Sequence, residues 1–162
     1  MPISLNAFGQ TVAKGMCDLR NGGGNPVSCQ IDVTSALGVD GGVGLVPGQA
    51  VKLVTTALGG VPKVVEATTD ADDIFGFIVY DVKSTKFMRG DRCEVLAMRN
   101  GVMYMEANAA IARGAEIAVL IAGQKVITAT ATDRIVGRAF DGCSAAGKFI
   151  RVSLDLPGLI KA

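Results

Sequence analysis

Apolar and polar residues alternate over short stretches in the second half of the chain, residues 74–156, and glycine-containing turns separate these stretches. The last stretch, residues 150–156, alternates strictly between apolar and polar side chains. A period of two is typical of a β-strand with one face in the core and one in water. We therefore predict a terminal strand, with residues 135–140 as its partner across a connection at residues 141–147.

Turn residues predict two further hairpins in this half of the chain. Asn100-Gly101 tolerates positive φ and suits a type I′ turn between residues 92–99 and 102–107. The register of a two-residue loop then places four side chains on one buried face, namely Leu96, Met98, Met103 and Met105. Gly123-Gln124 suits a type II′ turn between residues 116–122 and 125–131.

The first half of the β region gives a similar pattern. Residues 51–55 and 61–68 flank a glycine-containing turn at residues 57–60, which predicts a hairpin. Residues 28–33 and 75–81 are predicted as strands. Residues 107–113 are alanine-rich and end at a glycine, which is compatible with a single helical turn.

Eight to ten short strands at regular spacing predict an all-β fold. A small antiparallel β-barrel or a jelly-roll-like β-sandwich fits best, because closure limits exposed strand edges. The length of 162 residues suits one domain, or one domain with an arm.

The N-terminal residues differ from this pattern. Residues 1–27 carry loosely spaced apolar positions and include three consecutive glycines, which predicts an extended arm and a glycine-rich joint before a β domain at residues 28–162. A first strand packed on its own domain is the alternative. If the segment is an arm, its candidate partner-contact residues are Ile3, Leu5, Phe8 and Val12.

Charge and composition exclude several functions. The chain has no histidine, so the commonest general base and metal ligand is missing. Sixteen Lys and Arg residues against fifteen Asp and Glu give a net charge of +1, without the basic excess expected of a protein that binds nucleic acid. The sequence has neither a long apolar span nor a basic leader, which predicts a soluble, unexported protein without membrane contact.

The cysteines and carboxylates also predict no metal or cofactor. Cys17, Cys29, Cys93 and Cys143 form no C-x-x-C pair, so we expect free thiols in a reducing compartment. The acidic run at residues 69–73 is followed by Ile and Phe where a calcium loop needs an oxygen ligand and glycine, so a solvated turn is expected.

Catalysis is likewise not predicted. Ser144 and Lys148 are close in sequence, but they occupy an expected loop. Gly142 with Gly147-Lys148 approaches a phosphate-binding loop and lacks the required Ser or Thr. Two other classes stay open: a carbohydrate- or small-ligand-binding β module, for which Tyr80 and Tyr104 are the only tyrosines, and a hydrolase with paired carboxylates.

The order of the segments resembles the capsid cement, or head decoration, proteins of tailed bacteriophages, over roughly residues 45–155. The blocks that carry the resemblance are Gly48-Gln49-Ala50-Val51-Lys52-Leu53, Val65-Glu66-Ala67-Thr68, Phe75-Gly76-Phe77-Ile78, Gly101-Val102, Ala109-Ala110-Ile111, Gly114, Val136-Gly137-Arg138-Ala139-Phe140 and Ile150-Arg151-Val152-Ser153-Leu154. The N-terminal 30 residues and the loop at residues 38–48 lie outside it.

The resemblance implies a noncatalytic structural virion protein, made in the host cytoplasm, that sits on the capsid exterior. Its partner would be the major capsid protein, whose neighbouring subunits it would cement. A homo-oligomer, dimer or trimer, is expected from closed symmetry. A tail or fibre component is the related alternative.

Overall fold

The computed structural model describes residues 3–5, 11–18, 24–32, 44–54, 60–70, 72–84, 86–98, 101–155 and 159–161. These ranges contain thirteen short strands and one 3₁₀ turn, at Ile121–Gly123. The strands are β1 (Ile3–Leu5), β2 (Thr11–Ala13), β3 (Val27–Ile31), β4 (Ala50–Leu53), β5 (Lys63–Glu66), β6 (Gly76–Ile78), β7 (Arg92–Ala97), β8 (Val102–Glu106), β9 (Glu116–Leu120), β10 (Lys125–Thr128), β11 (Arg134–Ala139), β12 (Phe149–Ser153) and β13 (Leu159–Ile160). The all-β prediction is confirmed.

Five strands close into a small barrel in the order β3-β5-β4-β6-β7. We call this the first barrel. Its interior is filled by a cluster that includes Ile31, Val51, Val64 and Val95, each at most 1% exposed. Strands β3 and β5 run parallel, whereas the other neighbours are antiparallel. The predicted antiparallel arrangement thus holds for four of the five pairs of this ring, and β3–β5 is the exception, because a ring with an odd number of strands cannot alternate direction throughout.

The remaining strands form a second sheet in the order β10-β9-β11-β12-β8, with β13 also paired to β11. A parallel bridge between Ala107, next to β8, and Val126 in β10 links the two ends of this sheet. Its buried cluster includes Met103 and Ile150 and extends to Phe77 and Leu96 of the first barrel. Residues of both sheets therefore share this apolar cluster, which is distinct from the cluster inside the first barrel.

Two predicted hairpins are confirmed. Strands β4 and β5 pair antiparallel, with Val51 opposite Glu66. Strands β11 and β12 also pair antiparallel, and Ile150, Val152 and Leu154 are each at most 1% exposed. Alternation thus identified the buried face of β12 correctly.

The Asn100-Gly101 hairpin prediction is wrong. Strand β7 pairs with β3 and β6, and β8 pairs with β12, so the chain crosses from the first barrel to the second sheet at this point. Both edges of β7 are occupied within the closed barrel, which leaves none for β8. The predicted burial is nevertheless correct, since Leu96, Met103 and Met105 belong to one cluster and Met98 packs against it.

The Gly123-Gln124 hairpin is confirmed, but its turn type is wrong. Leu120 pairs with Lys125, and Gln124 rather than Gly123 has the positive φ, at 50°. The Gln124 side chain supports this backbone by donating from Nε2 to the carbonyl of Ile121 (3.0 Å) and accepting at Oε1 from the amide of Ala50 (2.9 Å).

The helical turn predicted at residues 107–113 is also wrong. Ala107 bridges to Val126, and Ile111 bridges to Cys143. Ile111 and Cys143 exchange two backbone hydrogen bonds of 2.9 and 2.8 Å. These bonds to other parts of the sheet replace the local bonds of a helix.

Candidate interaction site at the N-terminal segment

Three of the four predicted contact residues, Ile3, Leu5 and Val12, fall on a two-stranded ribbon. Strands β1 and β2 pair antiparallel, with Ile3 opposite Ala13, Ser4 opposite Val12 and Leu5 opposite Thr11. Ile3 and Leu5 thus lie in β1, and Val12 lies in β2. Phe8 lies outside the described residues.

The segment that follows the ribbon, residues 14–18, is hydrogen-bonded to both sheets; we call it the anchor segment. The Gly15 amide donates to the carbonyl of Tyr104 (2.8 Å), and the Tyr104 amide donates to that of Met16 (2.8 Å). On the barrel side, the Tyr80 amide donates to the carbonyl of Gly15 (2.9 Å). The anchor segment therefore adds to the outer edge of β8 and joins it to the residues after β6.

At Gly15 the anchor segment lies directly against the backbone of Gly48 and Ile78. Gly15 has a φ of +83°, and a side chain there would place Cβ 2.6 Å from the Gly48 amide nitrogen and 2.9 Å from the Ile78 carbonyl oxygen. A larger residue would be strained and would also clash with backbone. The position of the ribbon thus depends on a glycine.

Lys14 connects the anchor segment to the turn between β9 and β10. Its ammonium donates to the carbonyl of Gln124, and Gln124 in turn contacts β4 through the amide of Ala50. Burial lowers the pKa of Lys14, and the nearby carboxylate of Glu106 partly offsets this effect. The root of the ribbon therefore lies where the β9–β10 turn meets the first barrel.

A charged cluster holds the C-terminal end of the anchor segment. Arg151 donates from Nε and Nη2 to the two carboxylate oxygens of Asp141, each at 2.6 Å, and from Nη1 to Asp18 at 3.0 Å. Its guanidinium also lies 4.6 Å from the centre of the Phe140 ring. Hydrogen bonds from Arg151 lower the pKa of Asp141, and the bonds to Asp141 and Asp18 raise the pKa of Arg151. Asp18 is only 6% exposed, so this ion pair is largely removed from water.

Sequence reasoning missed Lys14, Asp18 and Arg151. Arg151 occupies a polar position of an alternating strand, where solvent exposure is the ordinary expectation. Its partner Asp18 lies far away in the sequence, and no local spacing links the two. Only the tertiary path of the anchor segment brings them together.

The acidic turn before β6 is confirmed as a turn. The carboxylate of Asp72 accepts hydrogen bonds from the amides of Thr68 (2.6 Å) and Thr69 (3.1 Å) and from Lys52 Nζ (2.8 Å). These contacts, the Lys52 bond foremost, lower the pKa of Asp72 to about 2. The carboxylate therefore fastens the turn to β4.

This pKa predicts a dependence of stability on pH. A depressed folded-state pKa stabilises the fold above the unfolded value near 3.8, and the contribution is lost as the pH falls toward about 2. Asp72→Asn should therefore lower stability by a constant amount above about pH 5 and approach the wild type in acid. Urea unfolding across this range measures the difference. Asp73→Asn is the control, because the Asp73 carboxylate is 94% exposed; equal profiles for the two variants would contradict the assignment.

The surface of the described ranges offers two open grooves. A groove of about 340 Å³ lies along residues 79–82, Phe87 and residues 92–94. A second, of about 520 Å³, lies between Lys52-Leu53, residues 73–75 and Ala97-Met98. No group of His, Cys, Asp or Glu suited to a metal ion, and no helix able to cross a membrane, occurs in the described residues.

Comparison with known proteins identifies the family. The family model described as "Structural cement protein (E217 gp24/Pam3 gp6)" matches residues 8–155. The match begins well before residue 45, so the view that the N-terminal 30 residues and the loop at 38–48 lie outside the resemblance is wrong from residue 8 onward. No curated protein matches the chain.

Among solved structures, the head fiber gp8.5 N base of bacteriophage phi29 is similar, with 11% sequence identity and a TM-score of 0.46. The similarity covers 83% of this chain and 98% of that chain. The assignment itself rests on the family match, which covers most of the sequence. The chain therefore belongs to the phage structural cement protein family and is a structural protein of the phage capsid.

Proposed function

We propose that this protein binds the outside of an assembled phage head and cements neighbouring subunits of the major capsid protein. The family match over residues 8–155 is the observation that carries the proposal. In this role the fused first barrel and second sheet sit on one capsid subunit, and the β1–β2 ribbon reaches the next. The protein acts as a homo-oligomer, a dimer or a trimer, and without catalysis.

The contacts of the anchor segment support a ribbon that withstands mechanical force. Backbone hydrogen bonds of Tyr104 with Gly15 and Met16, and of Tyr80 with Gly15, tie the root of the ribbon to both sheets. The ion pair between Asp18 and Arg151 adds a side-chain contact at the far end. Force applied to the ribbon is therefore passed to the shared core and not to one terminal strand.

A cement does not require a tight individual contact. When one oligomer engages several capsid subunits, later contacts become intramolecular, and avidity can exceed a single affinity by about 10²–10⁴. A specific contact should still bury more than about 1,000 Å² in total. The ribbon and a face of the β domain together can supply such an area.

The alternatives are not favoured by the family match. A carbohydrate-binding module would use an aromatic platform, and of the two tyrosines in the chain only Tyr80 lines either groove described above. A tail or fibre location would differ from a head cement in copy number per particle.

Removing residues 1–10 tests the ribbon directly. This deletion removes β1 but keeps the anchor segment, so the melting temperature should stay near that of the full chain. Binding to heads that lack the protein should fall at least tenfold, measured by sedimentation of mixed samples. The double substitution Ile3→Ser with Leu5→Ser should also weaken binding, and Val12→Ser tests whether β2 contributes.

Leu53→Ser is the control, because Leu53 is an exposed apolar residue of β4, 45% accessible, outside the ribbon. It should bind as the full chain does. Undiminished binding by the folded deletion variant would show that residues 1–10 make no capsid contact, and the contact would then lie on the β domain.

A further inference from the structure

Two cysteines oppose each other inside the first barrel. Cys29 in β3 pairs directly with Cys93 in β7. They are 0% and 4% exposed and belong to the same buried cluster. Both are free thiols. Direct opposition in a ladder brings two side chains together far more closely than their sequence separation would suggest.

The spacing of the two backbones suits a disulfide. The Ile31 amide donates to the carbonyl of Asp91 (2.9 Å), so these two opposite residues form a hydrogen-bonded pair of the ladder. Hydrogen-bonded and non-hydrogen-bonded pairs alternate along an antiparallel ladder. Cys29 and Cys93 lie two positions away on each strand and therefore also form a hydrogen-bonded pair. Residues at such sites have Cα atoms about 5.5 Å apart, within the range of about 4.4–6.8 Å that a disulfide spans. Their Cβ atoms, at about 4.5–5.5 Å, must approach slightly to reach the usual disulfide spacing.

We propose that Cys29 and Cys93 form a reversible intrachain disulfide when the protein meets a low-molecular-weight disulfide, such as oxidised glutathione. One cysteine thiolate attacks a sulfur of the small disulfide and releases a small thiolate. The second cysteine thiolate then attacks the protein-bound sulfur and releases the other small thiolate. The protein loses two protons and two electrons, and the small disulfide is reduced to two thiols.

The other two cysteines have different neighbours. Cys17 bridges to Met103, and Cys143 bridges to Ile111. Neither is opposite a cysteine, so the register singles out the pair in the first barrel. This separates the proposal from a general sensitivity of the chain to oxidation.

The environment of the pair makes the reaction slow in the folded state. Burial raises the pKa of Cys29 to about 11 and that of Cys93 to about 12, so few thiolates exist at neutral pH. Because the cysteines are buried, the oxidant must also wait for a local opening of the barrel wall. The slight approach required of the Cβ atoms makes the bond easier to reduce than a relaxed disulfide.

The disulfide joins strands on one side of the barrel and would stabilise it. Under the proposed function, the protein is made in a reducing cytoplasm and then carried on a particle into an oxidising medium. The thiols would then be free during folding and the barrel would be cross-linked afterwards. This consequence rests on the proposed function, whereas the chemistry does not.

An equilibrium experiment avoids the slow access of the oxidant. The variant Cys17→Ser with Cys143→Ser, which retains only the proposed pair, is denatured, reduced and refolded in a glutathione redox buffer of increasing oxidised fraction. Acid quenching, alkylation and peptide mass spectrometry then identify the sulfur partners. We expect one intrachain link between Cys29 and Cys93, reversed by dithiothreitol, and a rise in melting temperature of about 5–15 °C.

A second variant, Cys93→Ser in the same background, should show no such rise. The full chain should give the same linked peptide, with Cys17 and Cys143 alkylated. Folded protein that stays reduced, or that carries only glutathione on these cysteines, across the whole buffer range would overturn the proposal. Either result leaves capsid binding by the reduced protein unaffected, so the proposed function is judged separately.

Discussion

Gly137→Ala is expected to destabilise the protein by about 3 kcal/mol or more, a large effect for adding one methyl group. A Cβ atom at this position would lie 2.0 Å from the carbonyl oxygen of Ser153 in β12. Gly137 also lies at the point where the pairing of β11 with β9 shifts register after Ile135. The backbone of β12 cannot move away from this Cβ atom without breaking the β11–β12 ladder.

The melting temperature should fall by roughly 6–12 °C, given about 2–4 °C per kcal/mol for a chain of this size. Gly123→Ala is the matched control, because a Cβ there would meet only the flexible side chain of Lys125, at 3.7 Å. It should be neutral or slightly stabilising. Equal melting temperatures for the two alanine variants would contradict the close packing of β11 against β12.

Arg151→Met is expected to have a comparable effect, a loss of about 3–5 kcal/mol. Methionine keeps much of the volume of the side chain but leaves the buried carboxylate of Asp18 and the half-buried carboxylate of Asp141 without the guanidinium. Removing one partner of a desolvated ion pair is costly because the remaining charge stays out of water. Arg151→Lys should restore only part of the stability, since an ammonium cannot make the paired contact with Asp141.

Chemical denaturation measures the loss, and hydrogen exchange should show faster exchange at the Asp18 amide. Lys63→Met provides the control, because Lys63 pairs with Asp32 at 3.6 Å while 42% of its side chain is exposed. A pair of this kind contributes at most about 1 kcal/mol. A double-mutant cycle of Asp18→Asn with Arg151→Met should give a coupling energy well above zero. Strict additivity would contradict a stabilising contact between Asp18 and Arg151.

Local patterns in the sequence predicted which residues are buried better than which strands pair. The alternation in β12 and the apolar positions Leu96, Met103 and Met105 identified core residues correctly. A side chain is driven into the core by its own chemistry, and this can be read from a few neighbouring residues. The hairpins at β4–β5, β9–β10 and β11–β12 were also predictable, because short connections favour adjacent antiparallel strands.

Pairing between distant strands could not be predicted in this way. The dipeptide Asn100-Gly101 is a typical hairpin turn, yet β7 and β8 belong to different sheets. Closing the first barrel uses both edges of β7, and that closure depends on β3, which precedes it by many residues. A local turn preference contributes little free energy compared with a complete set of hydrogen bonds between paired strands.

The candidate site was predicted in part. Apolar spacing singled out Ile3, Leu5 and Val12, which lie on the ribbon, and their role in binding stays a prediction. The contacts that hold the ribbon in place, from Gly15 and from Asp18 to Arg151, join segments far apart in the sequence. Such contacts follow from the fold and have no local signature.

Copy number within the virus particle tests the central claim most directly. Purified particles are digested, and the peptides of this chain are quantified by mass spectrometry against those of the major capsid protein, before and after mild protease treatment of intact particles. A cement on the head exterior should be present in numbers comparable to the capsid protein, and the protease should cleave it on intact particles. A few copies per particle, or none, would contradict the account.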